Sequence, residues 1–157
     1  MENALDVITI GEAMAMFVAT ETGDLAAVEH FMKRVAGAEL NVATGLARLG
    51  LKVGWVSRVG KDSFGRFVLH SLAKEGIDAR GVSEDSRYAT GFQMKSKVEN
   101  GTDPIVEYFR KGSAASHLSP EDFAPITSPA LATCTLAAWP LRCRRVHTPC
   151  WSRRPPR

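Results

Sequence analysis

Residues 53–76, VGWVSRVGKDSFGRFVLHSLAKEG, change period partway along. Positions 53–59 are a short run rich in Val, the mark of a strand buried on both faces. Gly60 closes the run. Asp62 or Ser63 then stands where a helix N-cap belongs, ahead of an apolar stripe at helical spacing: Phe64, Phe67, Val68 and Leu72. Gly76 sits where such a helix stops. The chain before this stretch follows the same grammar. LDVITI (residues 5–10) is an apolar, β-branched run ended by Gly11-Glu12, and is expected to be a buried strand. AMAMFVAT after it is expected to be a second strand. Residues 38–49 are predicted to be a helix, with Val42, Leu46 and Leu49 on its apolar face and Gly50 at the C′ position. Strands alternating with helices, with Gly at the switches, imply an α/β domain with a parallel sheet over residues 5–80.

From Thr90 the period becomes two. Phe92, Met94, Ser96 and Val98 alternate with Gln93, Lys95 and Lys97, as in a half-exposed strand. ENGTDP (residues 99–104) carries Asn-Gly and a Pro, which make a turn. IVEYFR (residues 105–110) alternates again. An antiparallel hairpin over residues 89–110 is therefore expected, attached to the α/β core. LSPEDF offers Ser119 as N-cap, Pro120 at N1, and Glu121 and Asp122 in a first turn.

After about Pro125 these regularities stop. The last 32 residues hold five Pro, six Arg, no Lys and no acid, whereas residues 1–125 hold 17 acids against 14 Lys and Arg. The overall net charge of +3 thus averages an acidic domain and a basic tail. The boundary is drawn as 1–125 for the folded domain and 126–157 for an anomalous segment, expected to be frame-shifted or disordered. Cys134, Cys143 and Cys150 all lie in the tail. Their spacing of nine and seven residues is not that of paired zinc ligands, so no metal site is expected. Nucleic-acid binding would rest on the tail's charge alone, with only Trp139 and Trp151 to stack on bases, and is not expected. The acidic opening is no signal peptide and no apolar run is long enough to span a bilayer, so the expected location is cytoplasmic, without a membrane partner. The 45% hydrophobic and 24% charged content suits a globular domain.

Two places could carry chemistry. In AGAELN, Gly37 permits positive φ and close backbone approach. The amides of a helix start attract acceptors or anions, and Asn41 adds a donor and an acceptor. A sugar or sugar acid suits such a site, although a tight turn and a cap would use the same residues. Tyr108 and Arg110, at i and i+2, share one face of a strand, with Gln93 on the facing strand. An aromatic ring beside a guanidinium suits an oxygen-rich anion, although an ordinary exposed sheet face would look alike. RKGSAAS follows as a loop able to close near a ligand.

GAELNVATGLARLG, then VGWVSRVGKDSFGRFVLHSLAKEGID, then YFRKGSAAS, in that order, resemble the ribokinase-like (PfkB) carbohydrate kinases over roughly residues 5–125. Within that family, GAELN with YFRKGSA is most similar to the branch that phosphorylates 2-keto-3-deoxygluconate. The resemblance implies a Rossmann-like three-layer α/β core with an antiparallel β lid, and a sugar bound between them. It implies that Gly37, Ala38, Glu39, Leu40 and Asn41 line the sugar site. It implies that Tyr108 and Arg110 contact the sugar acid, Arg110 through the carboxylate. Gln93 stands where the family tends to place a lid residue, often Tyr. ATP and Mg2+ are the implied co-substrate and cofactor, and the lid sheet is a candidate surface for a homo-oligomer. Ala36 departs from the family's usual first Gly. The family's late Gly-Ala-Gly-Asp motif does not occur in the chain. Its Asp is the general base and its amides the anion hole for the transferred phosphate. The expectation is therefore a truncated sugar kinase, with the sugar-binding half present and the catalytic base and most of the ATP site absent. The rival expectations are a non-catalytic sugar-acid-binding or lid-mediated interaction module, and a kinase of another sugar such as fructose or ribose.

Overall fold

The structure is a computed structural model that describes residues 5–99 and 101–123, and the backbone of residues 133–136. β1 (Val7–Ile10) is buried at all four positions, as an apolar run at both parities requires. β2 (Met14–Thr22) and β3 (Phe31–Ala36) follow, then α1 (Ala38–Arg48), β4 (Val53–Gly60), α2 (Ser63–Lys74) and β5 (Asp78–Asp85). β6 (Phe92–Lys97) and β7 (Val106–Phe109) form a hairpin. Two 3-10 turns, Ala114–His117 and Pro120–Phe123, come next, and β8 (Thr133–Leu136) lies beyond them.

These strands make two four-stranded sheets. One, in the order β5-β4-β1-β8, is parallel throughout. The other runs β3-β2-β6-β7 and joins two antiparallel pairs through a parallel β2–β6 contact. The second sheet is the lid. The predicted hairpin supplies half of it. The AMAMFVAT strand supplies part of the rest, so it does not continue the parallel sheet as expected for residues 5–80. Its partner β3 and the strand β5 carried no clear signal in the sequence.

The main core lies on one side of the parallel sheet. Val53, Trp55 and Val59 of β4 pack there against Leu40 and Ala43 of α1 and Val68 and Leu72 of α2. Each such Val or Leu side chain contributes about 1.5–3 kcal/mol by leaving water. On the opposite side Leu5, Ile8, Ile10 and Val56 form a smaller cluster, covered by Leu118.

The predicted face of α1 is corrected by the structure. Val42 is 47% and Leu49 81% exposed, whereas Leu40 and Ala43 are buried and Leu46 and Ala47 pack against the core. Positions 43 and 47, both Ala, let the helix approach the sheet closely beside Leu40, and counting bulky apolar residues overlooks such a face. The stripe of α2 also divides. Val68 and Leu72 enter the core, while Phe64 meets Phe17 edge-on at 5.5 Å and Phe92 at 5.8 Å on the lid. Four residues assigned by sequence to the tail, Thr133–Leu136, pair in parallel with β1. The three-Cys segment otherwise lies outside the described residues.

Candidate functional site

β3 turns into α1 at Gly37, with φ 157°. A Cβ there would lie 2.6 Å from the backbone oxygen of Glu12, so only Gly admits this approach. Beside it, a Cβ on Gly11 would lie 2.6 Å from a carboxylate oxygen of Glu39. The first turn of α1 thus rests on Gly11 and Glu12, at the C-terminal end of β1. That end of an open α/β sheet is where ligands are usually held. Gly37 has no side chain to cap the helix, and no side-chain cap bond is made there. By contrast, Asp62 Oδ1 accepts from the Gly65 amide at 2.7 Å and caps α2. Ala38 and Asn41 are exposed and Glu39 is half-buried at the start of α1. Leu40 points into the core, so only its backbone faces the helix end.

On the lid, Gln93 and Tyr108 are register partners, as are Phe92 and Phe109. Alternation puts the two pairs on opposite faces of the sheet. Gln93 is 7% and Tyr108 59% exposed, and Phe92 and Phe109 stack with centroids 4.6 Å apart. Arg110 was expected to share a strand face with Tyr108, but β7 ends at Phe109 and Arg110, just past it, is aimed back toward β1. Its Nη2 pairs with Glu12 Oε2, while Ser113 Oγ donates to Glu12 Oε1 at 2.7 Å. Glu12 therefore links the two predicted groups, since α1 rests on residues 11–12 and Arg110 reaches the same place. The sequence reasoning did not single out Glu12. A carboxylate at the end of the first parallel strand was the signal available.

The lid is tied to the core at Thr90. Its amide and hydroxyl donate to Asp62 at 2.8 and 2.9 Å, and its Oγ1 accepts from the Gly60 amide at 2.8 Å. Burial pushes the Asp62 carboxyl up, but the bonds from Thr90 and Gly65 outweigh it and hold it below its ordinary value. A cavity of about 380 Å³ opens between this cap and the lid, lined among others by Phe64, Phe92, Phe109 and Lys111. It belongs to the Phe92 and Phe109 face, and none of the eight sequence-predicted residues lines it. Among the described residues no three His, Cys, Asp or Glu side chains gather as a cation site, and no helix is long and apolar enough to cross a membrane.

Known proteins share much of this sequence and fold. The chain is 52% identical over 120 residues to 2-dehydro-3-deoxygluconokinase of Bacillus subtilis (strain 168), covering 76% of this chain and 37% of that protein. A PfkB protein from Polaromonas sp. JS666 superposes with a TM-score of 0.73 at 60% identity, covering 76% of this chain and 40% of the other. A sugar kinase of Pyrococcus horikoshii, solved in complex with ATP, superposes with a TM-score of 0.68 at 33% identity, covering 74% and 37%. The chain thus spans well under half the length of these relatives. The pfkB carbohydrate kinase family matches residues 4–132, past the change in composition at Pro125. With that match over most of its length, and a ribokinase-like core and lid, the chain belongs to the pfkB family of carbohydrate kinases.

Proposed function

We propose that this chain supplies the sugar-acid half of a kinase that phosphorylates 2-keto-3-deoxygluconate with ATP and Mg2+. The observation that carries the reading is the placing of Arg110 at the end of β1, paired with Glu12 beside the uncapped start of α1. An Arg fork recognises a carboxylate. Asn41 and the amides of residues 38–40 suit hydroxyls, and Tyr108, two residues before Arg110, offers a ring and a phenol. Gln93, nearly buried beside Tyr108, would act more as a floor than as a contact. The 52% identity to a 2-dehydro-3-deoxygluconokinase supports the sugar acid over fructose or ribose. Residues 1–125 are the N-terminal part of the kinase domain in this proposal.

ATP and Mg2+ belong to the proposal through the family and its ATP-bound relative. The described residues gather no acidic cluster for Mg2+. They act on the sugar by binding and orienting it. No Gly-Ala-Gly-Asp occurs in the 157 residues, so the base and anion hole for phosphoryl transfer are not supplied by that motif. The chain as it stands is expected to bind the sugar acid without turning it over. The lid exposes Met32, Val98, Ile105 and Phe109, which supports a second copy as its partner.

Calorimetric titration of the purified chain with 2-keto-3-deoxygluconate and with fructose tests this reading. Arg110→Ala is expected to weaken the sugar acid about 10- to 100-fold, the worth of a charge-assisted contact of about 1.5–3 kcal/mol. Fructose should change by less than about threefold, because it offers no carboxylate. Equal losses for both ligands would remove the carboxylate from the reading. Sugar-dependent ADP release by the wild-type chain would show that a base exists among its own residues.

A further inference from the structure

Glu12 is held from three directions. Its Oε2 pairs with Arg110 Nη2, its Oε1 accepts from Ser113 Oγ at 2.7 Å, and the carboxylate lies against the Cα of Gly91. A Cβ on Gly91 would come within 2.6 Å of Oε1, so that glycine leaves the slot the carboxylate fills. All three neighbours belong to the chain segments that enter and leave the β6–β7 hairpin, whereas Glu12 lies in the segment that leads from β1 into β2. The Glu12 side chain is only 11% exposed and that of Arg110 32%. Ser113 is itself anchored, its amide donating to the Arg110 carbonyl at 3.1 Å, and the next amide, of Ala114, reaches the Ala89 carbonyl at 2.8 Å.

A free Arg on a sheet edge would sample many rotamers, and ordering it on ligand binding costs affinity. A guanidinium has five N–H donors. The ion pair to Glu12 is made through Nη2, which fixes one corner of the fork beside the end of β1. We propose that Glu12 is a positioning residue: its carboxylate, steadied by Ser113, holds the Arg110 guanidinium at the end of β1 in the orientation that receives the carboxylate of the sugar acid. The inference rests on the sugar-acid reading above. It makes carboxylate selectivity a joint property of the lid and the sheet end.

The test is a double-mutant cycle on the purified 157-residue chain, titrated with 2-keto-3-deoxygluconate and with fructose, with the thermal transition of each variant recorded. Glu12→Gln is expected to weaken the sugar acid about five- to tenfold and fructose less than about twofold, and the effect should vanish in an Arg110→Ala background. That loss of effect separates positioning from general support of the fold, which would persist without Arg110. Ser113→Ala should give a smaller loss, about two- to threefold, again confined to the sugar acid. It carries the test if Glu12→Gln does not fold. Full additivity with Arg110→Ala, equal losses for both ligands, or tighter sugar-acid binding by Glu12→Gln would overturn the inference. An inert Glu12→Gln with a sensitive Arg110→Ala would overturn this inference alone. An insensitive Arg110→Ala would overturn the sugar-acid reading and this inference with it.

Discussion

Gly37 and Gly45 lie eight residues apart and face opposite demands. At Gly37 the φ of 157° and the Glu12 carbonyl oxygen, 2.6 Å from any Cβ, exclude a side chain, and the obstacle is backbone that cannot swing away. At Gly45, inside α1, nothing lies within 4 Å of a Cβ. Gly37→Ala is expected to cost about 2–4 kcal/mol, and Gly45→Ala to add about 0.5–1 kcal/mol by removing backbone entropy from the unfolded chain. Urea midpoints of the two variants should shift in opposite directions, and a shift of the same sign would contradict the geometry. The contrast shows what is legible residue by residue. Asp62 was legible as an N-cap because its partner, Gly65, is three positions away. Its second task, holding Thr90, spans 28 residues and left no mark in the local pattern. Arg110 and Tyr108 stood out by residue type and by their spacing of two. Glu12 did not, because Arg110 and Ser113 lie about a hundred residues further along the chain.

Among elements, existence was easier to read than membership. The strand in AMAMFVAT was expected and is present, yet it belongs to the lid. A strand's neighbours depend on where the chain turns, and its own period does not record that. α1 shows a similar limit. Its bulky apolar residues suggested one face, and the helix buries another, built around Leu40 and the small Ala43 and Ala47. Leu40→Ala is expected to cost about 2–5 kcal/mol through a cavity in the core. Leu49→Gln, on the open side, should stay within about 0.5 kcal/mol of wild type. Thermal or urea unfolding decides this, and a large loss at Leu49 would return the apolar face to the position the sequence suggested. For the site the same rule held. The start of α1 and the segment with Tyr108 and Arg110 were picked out separately, and the meeting of α1 and Arg110 at Gly11 and Glu12 is a product of the fold.

At the scale of the molecule, the chain must return from the lid to the parallel sheet, and one polar network makes that return. Arg58 on β4 donates through Nε and Nη2 to Asp122, at 2.8 to 3.3 Å, and through Nη1 to Asp85 at 3.4 Å. Ser83 Oγ and the Ser119 amide also donate to Asp122, at 2.6 and 2.7 Å. The 3-10 turn Pro120–Phe123 is thereby fastened to β4 and β5 across 64 positions of sequence. Burial pushes the Asp122 carboxyl up, but the bonds from Ser83, Ser119 and Arg58 prevail and leave it below its ordinary value. A carboxyl lowered in the fold stabilises above its unfolded pKa, near 4, and this contribution is lost as pH falls through the folded value. Asp62 has the same sign. So does Asp85, lowered chiefly by its hydrogen bonds from Arg87. Stability should therefore fall on acidification below about pH 4. Arg58→Ala leaves the nearly buried Asp122 without its cation and is expected to cost about 3 kcal/mol at pH 7. The gap between wild type and variant should narrow as pH drops below about 4, because a protonated Asp122 no longer needs the guanidinium. Urea midpoints at pH 7, 5, 4 and 3 measure this. A gap as wide at pH 3 as at pH 7 would mean that Arg58 acts through packing of its stem, and that the fastening of the turn is not ionic.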